Sequence, residues 1–458
     1  MIQSDTIAAV STGMASAGIS IIRLSGDQAF EVADAVFRGK SGPVSAMASH
    51  TMHYGYIYDG ERMLDEVLIS VMRAPATYTR EDIVEINCHG GIAVTREVLR
   101  AVLARGARLA EPGEFTRRAF LNGRIDLSQA EAVMDLIQSG NRAAMDASLR
   151  QLRGNLRDKI ERGKDAILQT IAMIEAALDD PEHYDTGEDF REQVGTSMCG
   201  IYTEMKNLAD TFENGRVIRE GIRAVIVGKP NAGKSSIMNV LLGENRAIVT
   251  DIAGTTRDTL EESLKMDGLL LHIIDTAGIR ETADTIEKIG MERALSAVEE
   301  ADLIIYVADG SVPLDENDYA IIDKIRNRKV ITLINKSDLP PAVSQEQLQS
   351  LLSSPVLSVS AKQHEGMDMF SKEVKKMFEA GQLKAGEETF LTNLRHYEEI
   401  CAAVSSLSLA MESLENGMPE DFLTIDLMDA YHALANVVGE DVGDDLIDRI
   451  FSSFCVGK

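Results

Sequence analysis

Between the apolar run "IRAVIVG" and a helical stretch the chain reads "GKPNAGKSS", Gly228 to Ser236. The pattern G-x-x-x-x-G-K-[ST] leaves a chain little freedom. Its glycines let the backbone wrap so that successive N–H groups face a phosphate, and a strand must deliver the loop to a helix N-terminus. Asn231, Ala232, Gly233, Lys234, Ser235 and Ser236 would then surround the phosphates. Lys234 reaches the β- and γ-phosphates as a catalytic cation, and Ser235 binds Mg²⁺.

The surrounding sequence agrees with this reading. From residue 222, "IRAVIVG", "LLLHIID", "ADLIIYVAD", "KVITLIN" and "PVLSVSA" alternate with helical stretches, which predicts a doubly wound, mainly parallel α/β sheet. "NKSD", Asn335 to Asp338 and including Lys336, closes one run, so its side chains emerge at the carboxyl edge, where ligands of such sheets bind. Asp338 can accept hydrogen bonds from guanine N1–H and N2–H₂; adenine would leave the carboxylate unpaired. "SAK" (Ser360, Ala361, Lys362) fits the loop that closes over the base. "DTAG" supplies Asp275, which would hold Mg²⁺ through water, then Thr276, Ala277 and a Gly278 amide at the γ-phosphate. "VTDIAGTTRD" provides Thr250, Asp251, Ile252, Ala253, Gly254, Thr255 and Thr256, where a switch loop with an Mg²⁺-binding threonine belongs. Five elements in this order predict a Ras-like G domain that binds and hydrolyses GTP. Small Ras-like GTPases carry a water-orienting glutamine directly after the glycine of "DTAG". Here Ile279 stands there and can neither donate nor accept a hydrogen bond, so hydrolysis needs another device.

The remaining chain has two textures. Residues 1–118 mix short strand-like runs with turns and one helical stretch, an α+β domain. Residues 119–215 and 382–458 read as helical, and the simplest solution packs them together as one discontinuous domain with the G domain, 216–381, inserted. At 458 residues, about three domains fit the usual size. A formal charge of −27 argues against a protein that coats nucleic acid or a membrane surface, and leaves RNA contacts to local basic patches. The four cysteines form no C-x-x-C pair, no signal peptide is visible, and no apolar run approaches the about 18 residues needed to span a bilayer. A cytoplasmic protein with no membrane contact is expected.

"RIFSSFCVGK" places a cysteine four residues from the C-terminus. A prenyl anchor would want a different last residue than Lys458 and a basic stretch upstream, where this chain has "GDDLIDRI". His89 in "CHGG" has neither further metal ligands nor a G-x-S-x-G partner motif and reads as part of a turn.

"GISIIRLSG", "GEFTRRAFLNGRIDLSQAEAVMDLI", "GKPNAGKSS", "VTDIAGTTRD", "HIIDTAGIRE" and "FSSFCVGK" together resemble the MnmE (TrmE) family of tRNA-modifying GTPases over essentially the whole chain. The resemblance implies a multidomain α+β protein: an N-terminal tetrahydrofolate-binding domain that forms a homodimer, a helical domain, and the inserted G domain. It implies a hetero-oligomeric complex with MnmG (GidA) that modifies C5 of the wobble uridine, U34, of tRNA. The one-carbon unit would come from a folate, 5,10-methylene- or 5-formyl-tetrahydrofolate. Folate binding falls on Arg23, Glu85, Arg124 and Lys458, with Cys455 a possible pocket thiol; some relatives have lysine where this chain has Arg124. K⁺ would be held by Asn231, Thr250, Ile252 and Thr255, and Mg²⁺ by Ser235 and Thr256. Glu287 corresponds to the catalytic, water-orienting carboxylate, while Arg257 and Arg280 are weaker candidates. The stretch "RQLRGNLRDKIERGK" and the cluster Arg117, Arg118 and Arg124 are candidate basic patches for tRNA. The competing reading is a ribosome-assembly GTPase switch of the Era or Der type. Era-like chains begin with the G domain and add a KH domain, Der-like chains carry two G domains in tandem, and this chain has one G domain in its middle.

Overall fold

The computed structural model describes residues 5–179, 188–245, 261–266, 269–275, 298–379 and 389–457. The chain divides into two compact units. The first comprises Met1–Ile137, Ser148–Met205 and Glu399–Lys458, and the second Gln138–Ala147 and Lys206–Glu398.

The first unit holds a seven-stranded sheet: β1 (Ile7–Val10), β2 (Ile19–Ser25), β3 (Phe37–Gly39), β4 (Thr51–Asp59), β5 (Arg62–Met72), β6 (Ile83–His89) and β7 (Arg108–Leu109). The order is β3-β4-β5-β6-β2-β1-β7, antiparallel except where β7 runs parallel to β1. Alternation along these strands sends Ile22, Leu24, Ile57, Ile69, Val84 and Ile86 to a core shared with the helices Ala29–Val36 and Ile92–Leu103. The opposite face carries polar groups, among them Arg23, directly across from Glu85. In the helical part, Ile447 and Phe451 of Asp444–Ser452 pack on Leu127, Ala130 and Met134 of Leu127–Gln138.

Two residues of the candidate basic patches, one from each, prove to be buried. Arg118 is buried, with Nη2 2.7 Å from Asp5 Oδ1 and 3.0 Å from Glu114 Oε1, and Nη1 3.2 Å from Glu81. Lys164, the last residue of "RQLRGNLRDKIERGK", is also buried and pairs with Glu161 and Glu440. Neither presents its charge to a phosphate. Runs of basic residues in the sequence do not disclose that carboxylates distant in the chain fold over them.

The second unit is built on β8 (Ile222–Val227), β9 (Glu261–Met266), β10 (Leu269–Asp275), β11 (Leu303–Asp309), β12 (Val330–Asn335) and β13 (Val356–Ser358). Their order is β13-β12-β11-β8-β10-β9, parallel apart from β9. Ala224 and Ile226 face a core with Ile237 and Phe370, whereas Val225 and Val227 face Ile322 and Leu348 on the other side. Burial of both faces explains the continuous apolar runs in the sequence.

Residues 138–147, 206–215 and 389–398, which periodicity assigns to the helical domain, group with this sheet. The helix Phe212–Glu220 lies against the stretch that follows residue 388. Leu391 N donates to Thr211 Oγ1 at 3.0 Å, and the rings of Phe212 and Tyr397 stack at 4.3 Å. Gly215 is required there, since a Cβ would stand 1.9 Å from Leu391 O.

Glu114 and Arg118 generate the first prediction. Burial alone would raise the Glu114 pKa, but hydrogen bonds from Arg108, the Glu111 amide and Arg118 outweigh it and hold the carboxyl below its ordinary value. Such stability is present above the unfolded pKa and is lost as pH falls through the folded one. Arg118→Met leaves buried carboxylates without their shared cation and should cost about 3–5 kcal/mol in urea unfolding at pH 7. The gap should narrow as the pH is lowered into the carboxylate range. A pH-independent loss below about 0.5 kcal/mol would mean that the cluster contributes nothing.

Candidate functional site

β8 delivers the chain to the phosphate loop at the carboxyl edge of the sheet. Gly228 follows it at φ 152°, pressed so closely on β11 that a Cβ would lie 2.3 Å from Val307 O. Asn231 is exposed at φ 63°, a left-handed conformation that asparagine tolerates better than most residues. Gly233 closes the turn at φ 98°, where a Cβ would meet Asn335 Nδ2 at 2.1 Å. Lys234 opens the helix Lys234–Asn245, and its Nζ donates to the carbonyls of Gly228 and Lys229, both at 2.8 Å. Ser235 and Ser236 are exposed on the first turn, and Ala232 is buried. Backbone amides at a helix N-terminus beside a lysine form an anion site by charge and dipole together.

The base side is joined to this loop by one amide. Asn335, 2% exposed at the end of β12, donates from Nδ2 to Ala232 O at 2.9 Å and accepts from Ala361 N at 3.1 Å. It therefore ties the phosphate loop, β12 and the "SAK" loop together, and its side chain is committed to that task. Lys336 stands at φ 65°, and its Nζ lies 2.5 Å from Asp309 Oδ2. Burial would raise the Asp309 pKa, but Lys336 and Ser311 overcome that and hold it below the ordinary carboxylate range. Asp338 Oδ1 accepts from Ser360 Oγ at 2.7 Å, which aims one carboxylate oxygen, and Lys362 is exposed. Asp275 ends β10 in register with Ile226, one residue before the end of β8. Thr250, Asp251, Ile252, Ala253, Gly254, Thr255, Thr256, Thr276, Ala277, Gly278, Ile279 and Glu287, with Arg257 and Arg280, lie outside the described residues.

A second constellation occupies the polar face of the seven-stranded sheet. Arg23 and Glu85 pair, with Nε and Nη2 each 2.8 Å from Oε1 and both side chains about one-fifth exposed (18% and 21%). The Arg23 guanidinium lies 5.6 Å from the Tyr78 ring centroid, and that of the exposed Arg124 lies 4.7 Å from the same ring. Arg124 Nη1 also donates to Tyr78 O at 3.1 Å. Tyr78 is absent from the sequence-based site; its only trace is an aromatic within the turn-like "APATYTRED".

The C-terminal tail returns to this domain. Val456 bridges to Pro112, Gly113 N donates to Cys455 O at 3.2 Å, and Ser11 Oγ donates to Gly457 O at 3.1 Å. The Cys455 side chain is exposed, and Lys458 lies outside the described residues. His89 ends β6, takes Asp65 through its N and Nδ1 at 2.7 Å each, and leads through Gly90 and Gly91 into the helix Ile92–Leu103.

Two family models match the chain: the MnmE helical domain over residues 127–455 and the GTP-binding protein TrmE N-terminus over residues 6–124. A tRNA modification GTPase MnmE of Lachnoclostridium phytofermentans is 52% identical over 458 residues, covering 100% of both chains. That of Acetivibrio thermocellus is 47% identical over 464 residues, again covering 100% of both. That of Bacillus subtilis is 43% identical, covering 99% of this chain and 100% of the relative.

The Asp338–Ser360 contact generates a specificity prediction. Asp338→Asn should weaken GTP binding by about 100-fold or more and favour xanthosine triphosphate, whose ring presents an acceptor where guanine has a donor. Competition binding with both nucleotides measures this. Unchanged GTP affinity would overturn the role given to Asp338.

Proposed function

The chain belongs to the MnmE family of tRNA modification GTPases, and from that premise we propose potassium-dependent GTP hydrolysis coupled to C5 modification of tRNA wobble uridine U34. The enzyme hydrolyses GTP to GDP and phosphate in the service of tRNA modification. The observation that carries the nucleotide reading is Asn335, whose one buried amide joins the phosphate loop to the base-side loop. The domains proposed are 1–118 for folate binding and homodimerisation, 119–215 with 382–458 for the helical domain, and 216–381 for the G domain.

Lys234 and the amides of the phosphate loop would take the phosphates, with Ser235 and Thr256 on Mg²⁺ and Asp275 reaching the ion through water. Asn231, which is exposed, would offer a side-chain oxygen to K⁺, together with Thr250, Ile252 and Thr255. The cation would supply the charge neutralisation that an arginine finger supplies elsewhere, and Glu287 the water orientation that Ile279 cannot.

The polar sheet face suits a tetrahydrofolate. A carboxylate such as Glu85 can accept from the fork of donors on a pterin ring, and the guanidiniums of Arg23 and Arg124 both lie against the Tyr78 ring. Lys458 would join them by way of the tail. When bound, the folate supplies the one-carbon unit. The polypeptide's part is to orient that group and to deliver the product group, aminomethyl or carboxymethylaminomethyl, with MnmG in a hetero-oligomer. A cytoplasmic setting is proposed, and among the described residues no helix is long and apolar enough to cross a membrane.

Two predictions follow from this division of labour. Replacing K⁺ by Na⁺ at equal ionic strength should cut GTP turnover sharply, and Asn231→Ala should abolish the K⁺ response. Equal rates in both salts would remove K⁺ from the mechanism. The second prediction separates the two sites. Glu287→Ala should lose about 10²- to 10⁴-fold in hydrolysis with GTP affinity kept, because a water-orienting group acts on the transition state. Deleting 455–458 should leave hydrolysis intact while folate binding and modified U34, read by nucleoside mass spectrometry, are lost together. A truncated protein that still modifies tRNA would make the tail a structural terminus.

A further inference from the structure

Behind the phosphate loop lies a buried carboxylate that has no part in the nucleotide assignments made above. Asp318 is 1% exposed in the first turn of the helix Glu316–Ile325. Its Oδ1 accepts from the hydroxyl of the buried Tyr306 at 3.0 Å, and its Oδ2 accepts from Asp315 N at 3.0 Å. The remaining partner is a cation from the loop itself: Lys229 Nζ lies 2.6 Å from Asp318 Oδ2 and 2.9 Å from Asp315 Oδ2. Lys229 directly follows Gly228, and its own carbonyl is one of the two that receive Lys234 Nζ. One residue thus grips the helix after β11 with its side chain and the phosphate-binding lysine with its backbone.

A loop can bind phosphate tightly only if its amides are arranged beforehand, because ordering them on binding subtracts from affinity. The glycines of this loop supply turning freedom and no fixed direction. A side chain held at its far end by two carboxylates restores that direction at the loop's first step. We propose that Lys229 is a positioning residue of the GTPase, whose tether to Asp315 and Asp318 sets the entry of the phosphate loop and hence its affinity for nucleotide phosphates. The inference rests on the phosphate-loop assignment made above and adds to it a residue whose side chain is turned to Asp315 and Asp318.

The test measures binding of GDP with a fluorescent ribose label, steady-state GTP hydrolysis and urea unfolding on the full-length protein. Lys229→Met should raise the Kd for GDP and the KM for GTP about tenfold, the usual scale for losing a hydrogen bond to a charged group. It should change kcat at saturating GTP less than about threefold, since ground state and transition state lose the same anchoring. Lys229→Arg, which can still donate to both carboxylates, should recover most of the affinity. Because Lys229→Met leaves Asp318 buried without its cation, it is paired with the double variant Lys229→Met, Asp318→Asn. The double variant should regain wild-type urea resistance without regaining affinity. Wild-type affinity in either Met-containing variant would overturn the proposal, as would affinity that returns in step with stability in the double variant. Failure of the unmutated protein to bind labelled GDP would overturn the phosphate-loop assignment instead, and the tether's role with it.

Discussion

Parallel pairing of β8 with β10 and β11 governs everything in the nucleotide unit. In register, Ile226 stands opposite Asp275, Val227 opposite Tyr306, and Asp309 opposite Asn335, so the strands run out at one edge. Parallel strands must each be left and re-entered by a crossover, which places every departing loop at that edge. Side chains far apart in sequence, Lys234, Asp309, Asn335 and Asp338, consequently share one rim. The Asn335 amide then removes the slack between loops that the backbone ladder cannot reach.

The antiparallel sheet solves a different problem. One face is sealed by two helices, and the other is open to polar groups, where β2 and β6 set Arg23 directly across from Glu85. A guanidinium and a carboxylate in that position satisfy one another at modest cost while half-buried. The Tyr78 ring draws the guanidiniums of both Arg23 and Arg124 against it, so that two cations gather about one aromatic side chain on this face.

Much of this was legible in the sequence where chemistry forces a residue type. The phosphate loop needs glycine at Gly228 and Gly233 because of Val307 O and Asn335 Nδ2, and those glycines are what the motif displays. The strands β8, β11 and β12 were legible because burial on both faces leaves nearly unbroken apolar runs. What was hidden depends on partners distant in the chain. The Arg118 charge is consumed by Asp5, Glu81 and Glu114, so that a basic pair on the page is an internal ion cluster in the fold. Lys229 reads as an arbitrary loop residue until Asp315 and Asp318 meet it. Helical periodicity likewise reports that a face is buried without reporting against what, which is why residues 206–215 and 389–398 pattern with one domain and pack with another.

The clamp of Thr211 on Leu391 bears on how the chain folds. The hydrogen bond between Ser11 and Gly457 spans 446 residues. Closing a flexible loop of that length would cost about 3 kcal/mol more than closing one of ten, since the penalty grows with the logarithm of loop length. Folding the nucleotide unit first, whose Thr211 and Leu391 lie 180 residues apart in the chain, recovers only about 0.5 kcal/mol of that difference. Its chain enters and leaves at adjoining points, so once folded it counts as only a few residues in the larger loop. The bridge from the tail to Ser11 therefore still bears most of its closure cost, which contacts formed within the first unit must offset before the tail can stay in place.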